Sequence, residues 1–207
     1  TLRKLGLNTL LAARPSRQRN LAVALIVARL LFPCSKLATP RHWQATTLAD
    51  ELGVADASTD EIYRALDWLG RRQAAVEPLL AQRHLRRGGL VLYDVSSSFY
   101  HGRTCPLAHY GHDRDGKKGL PIIVYGLLAD AVGRPVALEV FPGNTGDPAT
   151  VPVAVEKLRP RLGCQRVVVV GDRGMLTQTQ IDHVGQYPAL GWISALRSAA
   201  IRRLLDE

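Results

Sequence analysis

An α/β domain built on a mixed sheet, preceded by a helical region, is the fold this 207-residue sequence predicts. Three observations carry that expectation. Over residues 1–87 the apolar positions follow helical spacing, whereas beyond Arg86-Arg87-Gly88-Gly89 they gather in short runs rich in β-branched residues. Those runs alternate with helical segments in the order βββαβαβ. Two of them stop at a carboxylate: Leu90-Val91-Leu92-Tyr93-Asp94, and Val167-Val168-Val169-Val170-Gly171-Asp172.

The helical elements come first. Asn20 is placed to cap a helix over Leu21–Phe32 that Pro33 stops. That run covers only 12 residues and Arg29 interrupts it, so it is too short to cross a bilayer, which takes about 20. Arg14, Arg17 and Arg19 ahead of it imitate a targeting signal, but no small-residue cleavage pattern follows. A short helix spans about 47–52 and ends near Gly53. The segment Thr47-Leu48-Ala49-Asp50-Glu51-Leu52-Gly53-Val54 reads either as the first half of a helix-turn-helix or as part of a plain helical bundle. Ser58-Thr59-Asp60-Glu61 opens another helix, with Ile62, Ala65, Leu66 and Leu69 on its apolar side, and a further helix is expected over about 73–86.

The strands follow. Leu90–Val95, Leu120–Leu128 and Pro135–Phe141, with a turn at Ala131-Val132-Gly133-Arg134, make an antiparallel meander. Asp147-Pro148 reads as N-cap and first residue of a helix reaching about Leu158. Val167–Val170 is uniformly apolar, as a central parallel strand is. A helix over about 177–184 and a strand over Trp192–Ala195 complete the order.

Composition narrows the class of partner. The hydrophobic content is 46%, and the formal charge is +9. Residues 1–89 hold 14 Lys+Arg against 7 Asp+Glu, and residues 90–207 hold 13 against 11, so the halves carry +7 and +2. A polyanion is the expected partner, nucleic acid before an anionic membrane surface, and the N-terminal half is its expected grip. Ordinary solvated arginine is the alternative. The three cysteines, Cys34, Cys105 and Cys164, are odd in number and lack CxxC spacing, which fits a reducing cytoplasm. The chain starts at Thr1 rather than Met, as a fragment or trimmed chain does.

A carboxylate at the end of a buried strand is costly unless it is paired, solvated or bound to a metal. Asp94 and Asp172 each therefore cap the following turn or hold a cation. The element order, with an Asp on the first strand and another just after the fourth, is the ribonuclease H-like arrangement. In such a sheet the first and fourth strands are neighbours, so the two acids meet although they stand 172 − 94 = 78 residues apart. Carboxylate-held magnesium ions suit in-line phosphoryl displacement, since Mg2+ prefers oxygen ligands and retains waters.

Five blocks then occur in sequence: Tyr93-Asp94-Val95-Ser96-Ser97; Cys105-Pro106-Leu107-Ala108; Arg114-Asp115-Gly116-Lys117-Lys118-Gly119-Leu120-Pro121; Gly143-Asn144-Thr145 with Asp147-Pro148; and Val170-Gly171-Asp172-Arg173-Gly174-Met175. Together they resemble bacterial insertion-sequence transposases of the DDE type, over most of residues 90–200. The resemblance implies DNA strand cleavage and strand transfer with two Mg2+ (or Mn2+) ions. The expected partners are double-stranded DNA, as transposon ends and target, and a second copy of the chain on that DNA. It implies Asp94 and Asp172 as the first two catalytic, metal-holding acids. The family's third acid is a Glu in a Tyr…Arg…Glu…Lys signature after a β-rich insertion. That signature is absent here, and the sequence stops at Glu207 about where the insertion would begin, which implies truncation. The alternative is a non-catalytic DNA-binding product. Residues 1–88 are then the basic helical region for DNA binding or dimerisation, and 89–207 the incomplete catalytic core of a bacterial, nucleoid-associated protein.

The remaining polar groups divide between bland and functional roles. Arg114, Lys117 and Lys118 form either a solvated hairpin or a DNA-phosphate contact, the one the resemblance favours. Arg173 serves either an ion pair or a DNA phosphate, and Asn144 either starts a helix or borders the active site. His101, Cys105, His109 and His112 match no common zinc spacing. Asp113-Arg114-Asp115-Gly116 lacks the later Glu of a calcium loop, since Val124 takes that place. Ser96–Ser98 lack a GxSxG setting.

Overall fold

The computed structural model describes residues 2–85, 89–112, 119–158, 162, 167–172, 174–187, 190–195 and 202. It divides into two compact units, Thr1–Val76 and Glu77–Glu207. Among the described residues no helix is long and apolar enough to cross a membrane.

The first unit is helical. It contains α1 (Leu2–Leu5), α2 (Leu7–Leu11), α3 (Arg17–Leu31), α4 (Thr39–Trp43), α5 (Leu48–Glu51) and most of α6 (Thr59–His84). Helix α3 begins earlier than Asn20 suggests. Ser16 is its cap, accepting the amide of Arg19 at 3.2 Å, and Asn20 instead donates Nδ2 to the Leu52 carbonyl at 3.0 Å. Leu21, Ala24, Leu25 and Ala28 pack with Trp43, Ala49, Val54, Ile62 and Ala65. Gly53 turns the chain after α5 in the left-handed region, at φ 65°, where a side chain would be strained. Val54 is fully buried, and seven residues, 52–58, connect α5 to α6. Helix α6 opens on a reciprocal capping box. The Ser58 amide donates to Glu61 Oε2 at 3.1 Å, and the Glu61 amide donates to Ser58 Oγ at 3.3 Å. Arg17 adds a two-pronged bond to Glu61 from Nε at 2.6 Å and Nη2 at 3.2 Å.

Two sequence expectations change at α6. It is one continuous helix of 26 residues rather than two, running through Gly70 and Pro78. Packing holds it across these weak formers: Ile62 and Ala65 are buried in the first unit, Glu77 and Ala81 in the second. The composition boundary at 88/89 therefore marks where helix gives way to strand, while the compact units part at Val76/Glu77.

The second unit holds β1 (Gly89–Phe99), β2 (Ile122–Asp130), β3 (Pro135–Pro142), α7 (Asp147–Glu156), β4 (Val167–Val170), α8 (Gln178–Gly185) and β5 (Leu190–Ile193), the order βββαβαβ. The strands lie β3-β2-β1-β4-β5, with β1, β2 and β3 antiparallel and β4 and β5 parallel to β1. This is the ribonuclease H-like mixed sheet. Helix α7 starts at Asp147 with Gly146 as its cap, so Asp147 and Pro148 are its first two residues. Strand β5 begins two residues earlier than the sequence suggests, because Leu190, not Trp192, supplies its buried anchor.

One sheet face carries the core. Val91, Tyr93, Val95, Val124, Leu128, Val136 and Val169 pack with Val151, Val155 and Val184 from α7 and α8. Under it lies a buried charge cluster. Lys157 Nζ bonds Glu77 at 2.8 and 2.9 Å, Glu139 at 2.7 Å and the Leu138 carbonyl at 2.7 Å, and the Leu138 amide donates to Glu77 at 2.9 Å.

Candidate active site

Strand β1 alternates strictly about its first acid. Val91, Tyr93 and Val95 are buried, while Leu90, Asp94, Ser96 and Ser98 stand exposed on the opposite face. The Tyr93 ring anchors the strand from below: its hydroxyl donates to the Thr150 carbonyl of α7 at 3.4 Å. Burial foremost pushes the Tyr93 phenol up to about 12, with the carboxylates of Asp147, Glu139 and Asp94 adding to the rise. Gly126 lies against this ring, so close that a Cβ there would collide with the Tyr93 hydroxyl. Asp94 is thus held on a strand fixed from its buried side. Its Oδ1 accepts the Val95 amide at 2.8 Å, and no described residue bonds Oδ2.

The second acid arrives through register. The parallel pairs Gly89↔Val167, Leu90↔Val168, Val91↔Val169 and Leu92↔Val170 share one offset, 167 − 89 = 78. Strand β4 ends at Val170, two residues before Asp172, and Val170 pairs with Leu92, two residues before Asp94. Just past the strand the Gly171 amide donates to the Ile193 carbonyl at 3.1 Å. Neighbouring strands lie about 4.8 Å apart, so the backbone segments leading to the two acids run side by side.

Asp172 caps the turn that follows β4 through one of its carboxylate oxygens. Its Oδ1 accepts the amides of Gly174 at 2.9 Å and Met175 at 2.8 Å, closing the turn after β4. Oδ2 accepts no hydrogen bond from the described residues, and the side chain is exposed. Ser194, not suggested by the sequence, donates Oγ to the Asp172 carbonyl at 3.0 Å and steadies the same turn from the end of β5. The only signal for it is a small polar residue just past the last strand.

Neither carboxylate has an ion-pair partner among the described residues. Each offers one unengaged oxygen. That donor set fits a partly hydrated magnesium ion, which takes oxygen ligands and keeps several waters. Among the described residues, no group of three or more His, Cys, Asp and Glu is placed to hold a metal.

The other sequence-nominated residues divide. Asn144 is exposed at the end of β3, beside Gly111 of the β1–β2 connection, with no described hydrogen bond to either acid. Arg114, Lys117, Lys118 and Arg173 lie outside the described residues.

No family model and no curated protein matches this sequence. Solved structures do resemble it. A piggyBac transposase synaptic complex with hairpin DNA aligns with 90% of this chain at a TM-score of 0.50 and 12% identity. The fold is that of a transposase catalytic domain. The chain spans 45% of that piggyBac protein's length. A Mos1 transposase paired-end complex with left transposon end covers 93% of this chain and 71% of its own at a TM-score of 0.36 and 12% identity. The Mos1 mariner paired end complex with Mn covers 93% and 72% at 0.31 and 13%. At such identities the likeness is one of fold.

Proposed function

We propose that this chain is the cutting and joining core of a DDE transposase of the bacterial insertion-sequence type. The single observation that supports this reading most is the parallel pairing of β1 with β4, which makes neighbours of the strand bearing Asp94 and the strand that ends two residues before Asp172. Asp94 and Asp172 would hold divalent cations, Mg2+ or Mn2+. When bound, such ions stabilise the charge of an in-line phosphoryl displacement and favour ionisation of the attacking oxygen. The residues of the chain orient the site. Tyr93 fixes the strand bearing Asp94, while Ser194 and the Gly174 and Met175 amides fix Asp172. In the first step water attacks the scissile phosphate and the 3′ oxygen leaves as a hydroxyl. In the second, that hydroxyl attacks a target phosphate and displaces its 3′ oxygen.

Double-stranded DNA, as transposon ends and target, is the proposed partner, engaged by a homodimer. Arg114, Lys117, Lys118 and Arg173 are proposed phosphate contacts, with Asn144 at the edge of the site. The basic first unit, with its α5–turn–α6 segment, is the proposed DNA grip.

The test is metal binding together with nicking. Calorimetric titration of the chain with Mn2+ should show binding that Asp94→Asn and Asp172→Asn each weaken at least about tenfold. Mn2+-dependent nicking of transposon-end DNA should disappear in both variants. Unchanged titrations and unchanged nicking in the two variants would overturn the assignment. DNA binding by the parent with no nicking at saturating Mn2+ would make the chain a DNA-binding protein only, the reading its +9 charge favours.

A further inference from the structure

Between β1 and β2 the chain makes a tightly held excursion. The Tyr100 amide donates to the Pro121 carbonyl at 2.9 Å. His109 and Ile122 exchange both backbone bonds, at 3.1 and 2.8 Å, and the Gly143 amide reaches the Leu107 carbonyl at 2.9 Å. The Ala108 amide closes a turn on Cys105 at 3.1 Å. Two glycines permit this packing. A Cβ on Gly143 would strike the carbonyls of Ile122 and His109, and one on Gly111 would strike the carbonyl of Gly143. The backbone on both sides of Tyr110 is thereby locked to the end of the sheet where β1 finishes and β2 begins.

The Tyr110 side chain is nevertheless 72% exposed, and no described residue hydrogen-bonds it. Over residues 100–112 there is no acid, while Arg103, His101 and His112 are all exposed. A backbone hydrogen-bonded to the sheet at His109, an exposed aromatic ring at Tyr110, and exposed His101, Arg103 and His112 on the same segment suit a flat, anionic ligand. The ordering that stacking requires is already in place before the ligand arrives.

We propose that Tyr110 is a nucleobase-stacking residue, which receives an unpaired base of bound DNA while Arg103 meets the adjoining phosphate. This deepens the DNA-processing reading above and rests on it.

The experiment uses the full chain in the absence of divalent metal, with a fluorescent single-stranded oligonucleotide, its duplex, and a 2-aminopurine-bearing single strand. Tyr110→Ala should weaken single-strand binding roughly 5- to 100-fold, weaken duplex binding much less, and abolish quenching of the 2-aminopurine. Tyr110→Trp should keep both the binding and the quenching. Arg103→Ala should lower the salt dependence of binding by about one phosphate contact. Since the ring is exposed, an unchanged Tm should confirm that Tyr110→Ala folds. Equal losses on single strand and duplex, or no loss on either, would overturn the stacking role. If Tyr110→Ala binds normally while the parent nicks DNA with Mn2+, stacking falls and the transposase reading stands. Failure of the parent to bind any DNA would remove both.

Discussion

Replacing Lys157 by Met should be among the most damaging single changes in the second unit. The Lys157 side chain is 2% exposed, and its ammonium lies between Glu77, 7% exposed, and Glu139. Removing it takes this ammonium from between two carboxylates, one of them buried, and takes this donor from the Leu138 carbonyl. Removing one partner of such a buried pair costs about 3–5 kcal/mol. Against a typical total of about 5–15 kcal/mol that is a large share. With a Tm sensitivity of roughly 2–4 °C per kcal/mol for a chain of this size, the expected drop is on the order of 6–20 °C. Urea and thermal unfolding followed by circular dichroism would measure it. Glu77→Gln combined with Lys157→Met should recover part of the loss, because the buried charge goes as well. A Lys157→Met protein within about 1 kcal/mol of its parent would refute the reasoning, since the ammonium would then be solvated or dispensable.

Two further expectations concern pH. The Arg17 bond, then the Ser58 amide, lower the Glu61 carboxyl to about 2 in the folded chain. Its contribution is therefore present above the unfolded value near 4.5 and is lost as pH falls towards 2. Arg17→Ala should flatten the acid side of a plot of urea midpoint against pH, and an identical slope in both proteins would contradict the pairing. Tyr93, raised to about 12, has the opposite sign: its contribution holds below the unfolded value of 10 and disappears as pH climbs through 12. Ultraviolet titration should show one tyrosine ionising late in the native chain, absent in Tyr93→Phe, which should also lose about 1 kcal/mol with its hydrogen bond.

Much of the second unit was legible because its strands are short β-branched runs bounded by turn residues. The βββαβαβ order follows from them, and with it the adjacency of β1 and β4. What escaped the sequence depends on distant partners. Ser16 displaces Asn20 as the α3 cap because Asn20 is engaged with Leu52. Helix α6 survives Gly70 and Pro78 because buried contacts on both sides outweigh local propensity. Glu77 and Lys157 are 80 residues apart, and neither stands in a motif. At the candidate site the sequence offered capping or cation binding as alternatives for each acid. Capping and a free oxygen coexist on Asp172, because the turn takes only Oδ1.

The shared offset of β1 and β4 also governs which changes of length the domain can absorb. Side chains switch faces at every residue of a strand, so parity decides whether each acid looks outward. Inserting one residue between Gly89 and Asp94, or between Val167 and Asp172, would turn that acid towards the helices and strand it among apolar groups. Insertions in the turn at Ala131–Arg134 leave the parity of both segments untouched, whatever their size. Lineages of this protein should therefore vary freely in the lengths of such connections while keeping five steps from the first paired residue to the acid on both strands.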